Sequence, residues 1–234
     1  MKGVQIVGFK KSGKTALSVA LLARLRELGL TPSALKCTHN PGLDKEDTDT
    51  DRFLPYCRAV GAMSGQESAI FWSETRSITD LIAQLAADVL VIEGGKEFGV
   101  APRVILPRRL DEAAALSDPG LVLAVYGPIA VPGLPHVDSV EALADLVLAR
   151  GFVLPGLDCG GCGKKSCGEL GAAILAGQAT PEDCVSAHAP LRVDIGGREL
   201  ALNPFVAKVL ASGIRGLLSE LKGFGPGPVT LRLG

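Results

Sequence analysis

The sequence predicts an α/β fold with a mostly parallel sheet and flanking helices, followed by a small cysteine-rich helical module and a ββαβ-like C-terminal segment. Three observations predict it. Short apolar runs alternate with helical patterns over the first two-thirds of the chain. A glycine-rich loop separates the first apolar run from the first helical pattern. Four of the six cysteines are concentrated in the stretch Asp158–Cys184.

The N-terminal elements follow from residue type and periodicity. Val4–Val7 is a short run rich in β-branched residues and is predicted to be the first strand. Thr15–Leu28 carries apolar residues at helical spacing and is followed by Gly29, a favourable residue after a helix C-terminus. A second strand is predicted at Ala34–Thr38, and the acidic stretch Asp44–Asp51 is predicted to be a loop.

The same alternation continues to residue 151. Ser77–Ala87 has a helical pattern. Asp138–Arg150 is predicted to be a helix with Asp138 as its N-cap and Gly151 as its stop. The remaining strand candidates, in chain order, are Val89–Ile92, Arg103–Leu106 and Leu121–Tyr126.

The C-terminal third changes character after the linker-like stretch GFVLPGLD. Short helices are predicted at Glu169–Leu175 and after the capping pair Thr180-Pro181. Alternating residues around Gly196-Gly197 indicate a hairpin. The last predicted elements are strands at Leu191–Ile195 and Arg198–Leu202, a helix from Asn203-Pro204 to Lys222, and a closing strand at Val229–Leu233.

These patterns divide the 234 residues into a domain over 1–151, a cysteine module over 152–189 and a C-terminal segment over 190–234. With 24 Lys and Arg against 25 Asp and Glu, the chain has no basic tract that would favour nucleic acid. No apolar run reaches the length of about 18 residues that a membrane helix needs. The N-terminus lacks the apolar stretch of a signal peptide. We therefore expect a cytoplasmic protein without nucleic-acid or membrane partners.

The loop GFKKSGKT, from Gly8 to Thr15, matches G-x-x-x-x-G-K-[ST] at every fixed position. Glycines allow the backbone to turn tightly and direct its N–H groups at a phosphate. Lys14 would contact the terminal phosphates, and the Thr15 hydroxyl would bind Mg²⁺. The motif predicts a sheet of the P-loop NTPase type. The residues predicted to hold the nucleotide are Gly8, Lys11, Ser12, Gly13, Lys14, Thr15 and Ala16.

An acidic partner for this Mg²⁺ is expected at the end of another strand. Glu93 follows the apolar run Val89–Ile92, although aspartate is the usual residue there. The alternative for Glu93 is a solvated carboxylate at a strand end. Asp47, Asp49 and Asp51 of the acidic loop are further candidates, and the sequence does not choose among them.

Five stretches follow one another along the first domain, namely IVGFKKSGKTAL, LKCTHN, DTDRFLPYCRAVGA, LVIEGGKE and APRVILPR. Together and in this order they resemble the molybdopterin-guanine dinucleotide biosynthesis protein B (MobB) family. The resemblance implies a GTP-binding protein with weak hydrolysis that assists nucleotide attachment to molybdopterin. It also implies a homodimer and a partner nucleotidyltransferase. On this resemblance, the motif positions around the nucleotide and molybdopterin are Lys36, His39, Asp49, Glu93 and Lys96.

One sequence feature that is common in guanine-recognising proteins is missing. Such proteins commonly carry an Asn/Thr-Lys-x-Asp element after a late strand, whereas the corresponding stretch here reads AVYGPIAV and has no carboxylate. The preference for guanine therefore depends on the family resemblance alone.

The clustered cysteines follow the pattern C-x₂-C-x₄-C-x₁₆-C, with glycines between the first three. Structural zinc more often shows two separated C-x₂-C pairs. A reducing compartment disfavours a disulfide framework. Interleaved glycines let the backbone lie close to an inorganic cluster, so we favour a [4Fe–4S] cluster, with zinc, a disulfide framework or unliganded thiols as alternatives. The predicted ligands are Cys159, Cys162, Cys167 and Cys184, while Cys37 and Cys57 are expected to be small buried hydrophobes.

The stretch around these cysteines resembles the four-cysteine [4Fe–4S] domain of the B subunit of Rnf-type electron-transport complexes and of corrinoid iron–sulfur proteins. The shared features are the C-x₂-C-x₄-C start, the small-residue helix ELGAAILAGQA and the distant last cysteine. The first functional hypothesis is a GTP-binding accessory protein of molybdenum or tungsten cofactor maturation. The alternative is a redox-responsive regulatory or electron-transfer protein with a nucleotide-dependent switch. A small-molecule kinase is a third reading without an acceptor-binding signature.

Overall fold

The computed structural model of the chain describes residues 1–38, 42–43, 48–85, 87–117, 120–187, 191, 193–195, 198–200, 202, 204–225 and 229. The strands are β1 (Lys2–Gly8), β2 (Pro32–Lys36), β3 (Ala59–Met63), β4 (Ser68–Trp72), β5 (Val89–Glu93), β6 (Arg103–Leu106), β7 (Val122–Tyr126), β8 (His136–Val137), β9 (Val193–Ile195) and β10 (Arg198–Leu200). The helices are α1 (Lys14–Glu27), α2 (Asp49–Phe53), α3 (Ile78–Gln84), α4 (Leu110–Leu116), α5 (Val140–Arg150), α6 (Cys167–Leu175) and α7 (Pro204–Ser219).

Six strands form one sheet in the order β2-β5-β1-β6-β7-β8, and every neighbouring pair is parallel. This confirms the predicted α/β class. The central strand β1 pairs with β5 on one side and β6 on the other. Parallel strands end at the same side of a sheet, so β1, β2, β5 and β6 end together. We call this side, which carries Gly8, Lys36, Glu93 and Leu106, the carboxyl edge.

The burial of these strands in the core explains why their sequences are continuous apolar runs. Val89–Ile92 of β5 and all of β6 are buried, as expected for parallel strands that are covered on both faces. On one side, Val4 and Ile6 belong to a cluster with the α1 leucines and with residues of α5. On the other side, residues of β5 pack with Ile78 of α3. Helices therefore cover both faces of the sheet.

Local capping shifts several predicted helix boundaries. The N-cap of α5 is Ser139, which accepts from the Ala142 N–H at 3.2 Å, and not Asp138 as predicted. Helix α6 begins at Cys167 behind the cap Ser166, two residues before the predicted start. The residues after Thr180 form only a single 3-10 turn, Pro181–Asp183, in which the Thr180 N–H donates to Asp183 Oδ2 at 2.8 Å.

Other elements are absent from the sequence prediction. The hairpin β3–β4 was missed because its side chains are largely exposed and show weak apolar alternation. Helices α2 and α4 and strand β8 are too short to give a clear period. Cys57 is exposed, so its predicted burial is wrong.

The C-terminal third packs onto the sheet domain through the connecting stretch. Phe152 and Leu154 are buried in one cluster with Leu170 and with two cysteines, Cys167 and Cys184. Strands β9 and β10 pair antiparallel, and α7 ends at Ser219 rather than Lys222. The predicted turn Gly196-Gly197, the cap Asn203 and nearly all of the predicted strand Val229–Leu233 lie outside the described residues. No helix in the described part is long and apolar enough to cross a membrane.

Candidate functional site

The glycine loop lies at the carboxyl edge, between the end of β1 at Gly8 and the start of α1 at Lys14. Lys11 and Gly13 adopt left-handed φ values of 65° and 92°. The first helical hydrogen bond runs from the Leu17 N–H to the Gly13 carbonyl at 2.9 Å. The N–H groups of the first helical turn have no acceptor within the helix. This backbone forms a concave set of donors suited to an anion.

Two further features of the loop fit a phosphate. A side chain at Gly8 would overlap the Ser12 hydroxyl and lie 3.1 Å from the Leu106 carbonyl, so the position requires glycine for space. Within the described residues, the buried Ser12 Oγ has no hydrogen-bond partner. An unsatisfied buried hydroxyl is costly, and a phosphate oxygen at the loop would satisfy it.

Lys14 reaches back over the loop. Its Nζ donates to the Phe9 carbonyl at 2.8 Å and the residue is half-buried. The ammonium group is thus held on the concave side of the loop by a single carbonyl. It is placed to exchange that carbonyl for a phosphate oxygen.

Thr15 and Glu93 meet at the mouth of the loop. The Thr15 hydroxyl donates to Glu93 Oε1 at 2.9 Å, although the two residues are 78 positions apart in the chain. Octahedral Mg²⁺ with ligands at 2.0–2.1 Å separates neighbouring oxygens by about 3 Å. The two oxygens therefore have the spacing of adjacent magnesium ligands.

The remaining predicted nucleotide residues are placed differently. Lys36 ends β2 directly beside Glu93 in the sheet register and is exposed. Lys96 is exposed in the loop that follows β5. Asp49 lies in α2, is 82% exposed and pairs with Arg52 at 3.5 Å. His39 and Asp47 lie outside the described residues.

A buried polar pair beneath the loop after β5 was missed by the sequence analysis. Gln5 and Arg103 are 0% and 3% exposed. The Gln5 amide donates to the Gly94 carbonyl at 2.8 Å and also to the Gly95 carbonyl. Arg103 donates to the carbonyls of Lys96 and Phe98, at 2.5 and 3.1 Å, and to Gln5 Oε1 at 3.3 Å. The pair thus fixes the backbone that carries Glu93 and Lys96. The sequence signal that could have revealed this pair is Gln5, a glutamine in the middle of an otherwise apolar strand.

Arg108 supports the opposite side of the glycine loop. Its guanidinium binds the Glu112 carboxylate at 2.5 Å, donates to the Lys10 carbonyl at 3.3 Å and lies 6.0 Å from the centre of the Phe9 ring. The hydrogen bonds from Arg108 lower the pKa of Glu112. Glu112 stays ionised and holds Arg108 in place against the loop.

The four clustered cysteines form a second site. All four line one pocket, with Cys167 and Cys184 buried, Cys162 half-buried and Cys159 exposed. The Cys159 Sγ lies 3.0 Å from the Ser186 hydroxyl. The Cys167 N–H donates to Asp158 Oδ1 at 2.6 Å, which joins the first ligand loop to the start of α6. The turns between the ligands use glycines with left-handed φ, Gly160 at 70° and Gly163 at 79°.

The surroundings of the two buried thiols disfavour a free thiolate. Burial raises the pKa of Cys167 and of Cys184, while backbone N–H groups near each sulfur act in the opposite direction. Backbone donors to sulfur are typical of iron–sulfur sites, and a bound metal keeps thiols deprotonated. None of the six cysteines is paired in a disulfide in the structure. In the described residues, no group of three or more His, Cys, Asp or Glu is close enough to hold a single metal ion.

A parallel sheet with a glycine loop after its first strand, an acidic residue opposite the loop threonine and a module with four clustered cysteines together define an α/β protein of the P-loop type with an added cysteine-rich segment. The family model described as "Molybdopterin guanine dinucleotide synthesis protein B" matches residues 4–126. The chain belongs to this MobB family, as the sequence resemblance indicated. A second family model, "Putative Fe-S cluster", matches residues 154–186 and includes all four clustered cysteines.

Two individual relatives and one solved structure are also similar to this chain. The chain is 24% identical over 233 residues to a "Putative molybdopterin-guanine dinucleotide biosynthesis adapter protein" of Methanocaldococcus jannaschii, covering 95% of this chain and 93% of that protein. It is 30% identical over 161 residues to a "Probable molybdopterin-guanine dinucleotide biosynthesis adapter protein" of Bacillus subtilis, covering 63% and 91%. The crystal structure of Bacillus subtilis MobB matches with a TM-score of 0.54 at 26% identity, covering 65% of this chain and 99% of that one.

Proposed function

We propose that this chain is a Mg-GTP-binding accessory protein in the biosynthesis of molybdopterin guanine dinucleotide, for molybdenum or tungsten enzymes, and that it carries a [4Fe–4S] cluster. The observation that carries the nucleotide part is the contact of the Thr15 hydroxyl with Glu93 at the mouth of the glycine loop. The family and the names of the relatives support the biosynthetic part.

The nucleotide would be held mainly by backbone. The loop N–H groups and the first turn of α1 would bind the phosphates, and Ser12 Oγ would donate to one of their oxygens. Lys14 would leave the Phe9 carbonyl for the terminal phosphates. Thr15 and Glu93 would be the protein ligands of Mg²⁺. We expect only weak hydrolysis, as the family resemblance implies.

The four cysteines would hold the cluster, and the bound cluster would supply one-electron chemistry. Cys167 and Cys184 would bind from the buried side of the pocket, Cys159 and Cys162 from the glycine-rich loop. Asp158 would keep the loop and α6 together through the Cys167 N–H. The division into the domain 1–151, the module 152–189 and the segment 190–234 is the functional division that we propose.

The proposed partners follow from the family. They are molybdopterin or its guanine dinucleotide, a molybdenum cofactor nucleotidyltransferase and a second copy of this chain, in the cytoplasm. Lys36 and Lys96 are cations at the carboxyl edge whose charge suits the molybdopterin phosphate.

The test is magnesium dependence. Titration calorimetry with GTP, with and without Mg²⁺, compares the wild type with Glu93→Gln. A matched control is Glu141→Gln, an exposed glutamate in the first turn of α5. Mg²⁺ should strengthen GTP binding in the wild type and in the control, and should have little effect in Glu93→Gln. An equal magnesium effect in all three proteins would show that Glu93 is not a metal ligand, and absence of GTP binding in the wild type would reject the proposed function.

A further inference from the structure

The loop that carries Glu93 also touches the four-cysteine module. Glu93 begins the loop at the carboxyl edge, and Gly99 ends it against the first turn of α6. A Cβ at Gly99 would lie 2.7 Å from the Gly168 Cα and 2.9 Å from its nitrogen. Gly168 directly follows the predicted ligand Cys167. The two backbones therefore touch where one site's loop ends and the other site's helix begins.

The loop between these ends behaves as one hydrogen-bonded unit. Gln5 holds the carbonyls of Gly94 and Gly95, and the buried guanidinium of Arg103 holds those of Lys96 and Phe98. The Arg103 Nε also donates a hydrogen bond to Gln5 Oε1 at 3.3 Å. A strain imposed at Gly99 would therefore act on the hydrogen bonds of the whole loop rather than on one residue.

The connecting stretch after α5 reinforces the contact. The Leu154 N–H donates to the Val100 carbonyl at 2.7 Å, immediately after Gly99. Leu154 in turn packs with Cys167, Leu170 and Cys184. The end of the loop is thus attached to the module by a hydrogen bond as well as by the glycine contact.

We propose that the Glu93–Gly99 loop couples the two sites. Ligation of Cys167 fixes the first turn of α6 against Gly99, and this sets the position of the Glu93 carboxylate for Mg-nucleotide. Arg103 is the positioning residue of this loop. The coupling rests on the proposed function, because Glu93 matters only where Mg-nucleotide binds. Coupling free energies between sites typically change affinity by 5- to 150-fold and act reciprocally.

The first experiment is Gly99→Ala, measured by titration calorimetry with Mg-GTP on anaerobically purified protein, together with iron content. Gly99 does not need a left-handed φ, so the added methyl acts through its contact with Gly168. The control is Gly171→Ala in α6, the helix that Gly99 contacts, where a Cβ would meet the end of the Leu121 side chain at 2.8 Å. Gly99→Ala should weaken Mg-GTP binding by about fivefold or more, and Gly171→Ala by less than twofold. Unchanged affinity in a folded Gly99→Ala protein would overturn the coupling.

The second experiment needs no variant and decides the matter if Gly99→Ala does not fold. Mg-GTP affinity of the wild type is measured before and after iron removal by a chelator, with circular dichroism to verify the fold. We expect affinity to fall by about fivefold or more after iron removal. Equal affinities would overturn the coupling while leaving GTP binding intact. A wild type that does not bind Mg-GTP in either state would instead reject the proposed function.

Discussion

Both candidate sites lie where a helix begins, α1 at Lys14 and α6 at Cys167, but the two helix ends are closed differently. The N-cap of α1 is Gly13, which has no side chain to bond the first turn. The N-cap of α6 is Ser166, whose hydroxyl accepts from the Glu169 N–H, and Asp158 accepts from Cys167. An open helix N-terminus favours an external anion. A closed one instead holds its own side chains, here a predicted ligand.

The difference predicts how each site fails. The nucleotide site is built from backbone at the ends of packed strands, so its shape is present before the ligand binds. The four-cysteine site is built from side chains on loops and at the start of α6, and Cys167 and Cys184 also belong to a small apolar cluster. Damage to the first should cost binding, whereas damage to the second should cost binding and packing together.

The largest effect is expected from Cys162→Ser, because a hydroxyl replaces a thiolate poorly. Protein made without oxygen should be brown and contain about four iron and four sulfide per chain, and the variant should lose most of that iron. Cys57→Ser, at an exposed cysteine outside the cluster, is the control. Iron and sulfide analysis with visible absorption measures both. Colourless wild-type protein that holds one zinc would reject the cluster and leave the thiol ligands standing.

The same variant sharpens the comparison when it is tested for Mg-GTP binding. The glycine loop and its strands lie outside the cysteine module, so binding should persist in Cys162→Ser, weakened by the proposed coupling. Complete loss of binding would mean that the nucleotide site is not preformed and depends on the module for its shape.

The second-largest effect is expected from Lys14→Ala. Losing one partner of a buried charge pair costs about 2–5 kcal/mol. The free energy of Mg-GTP binding, measured by titration calorimetry, should therefore become weaker by about 2–5 kcal/mol in the variant. Iron content should be unchanged, in contrast to Cys162→Ser. Lys208→Ala, at an exposed position in α7, is the control. Unchanged affinity in a folded Lys14→Ala protein would show that the glycine loop is not the phosphate site.

The third prediction concerns the base. A site that hydrogen-bonds its ligand rejects an analogue by roughly 10⁴ or more. The stretch after β7 contains no carboxylate to accept from guanine, so we expect a preference for GTP over ATP well below that limit. Competition between the two nucleotides at equal Mg²⁺ measures it. Equal affinities for GTP and ATP would reject guanine specificity in the proposed function. A preference for GTP of about 10⁴ would show that residues elsewhere in the chain hydrogen-bond the guanine base.

The sequence predicted the sheet, the glycine loop and the cysteine-rich stretch because their signals are local. Buried parallel strands are continuous apolar runs, and the glycine loop and the cysteine spacing are short patterns. Short elements such as β8 gave no usable period. The contact of Gln5 with Arg103 joins residues 98 positions apart, and the Gly99 contact with Gly168 joins two modules. Such tertiary contacts are not encoded in any local pattern, so the element that connects the two sites was visible only in the structure.

The smallest expected effect tests the closed helix end directly. The Ser166 hydroxyl accepts from the Glu169 N–H at 3.2 Å, and loss of such a cap costs about 0.5–2 kcal/mol. Ser139→Ala removes a comparable cap from α5, where the Ser139 hydroxyl accepts from Ala142 at 3.2 Å. Both variants should lower the free energy of unfolding by similar amounts in urea titrations. Only Ser166→Ala should release iron faster to a chelator, because only its helix begins with a proposed cluster ligand. Equal iron release from both variants would mean that the cap of α6 serves stability alone and does not hold Cys167 in place.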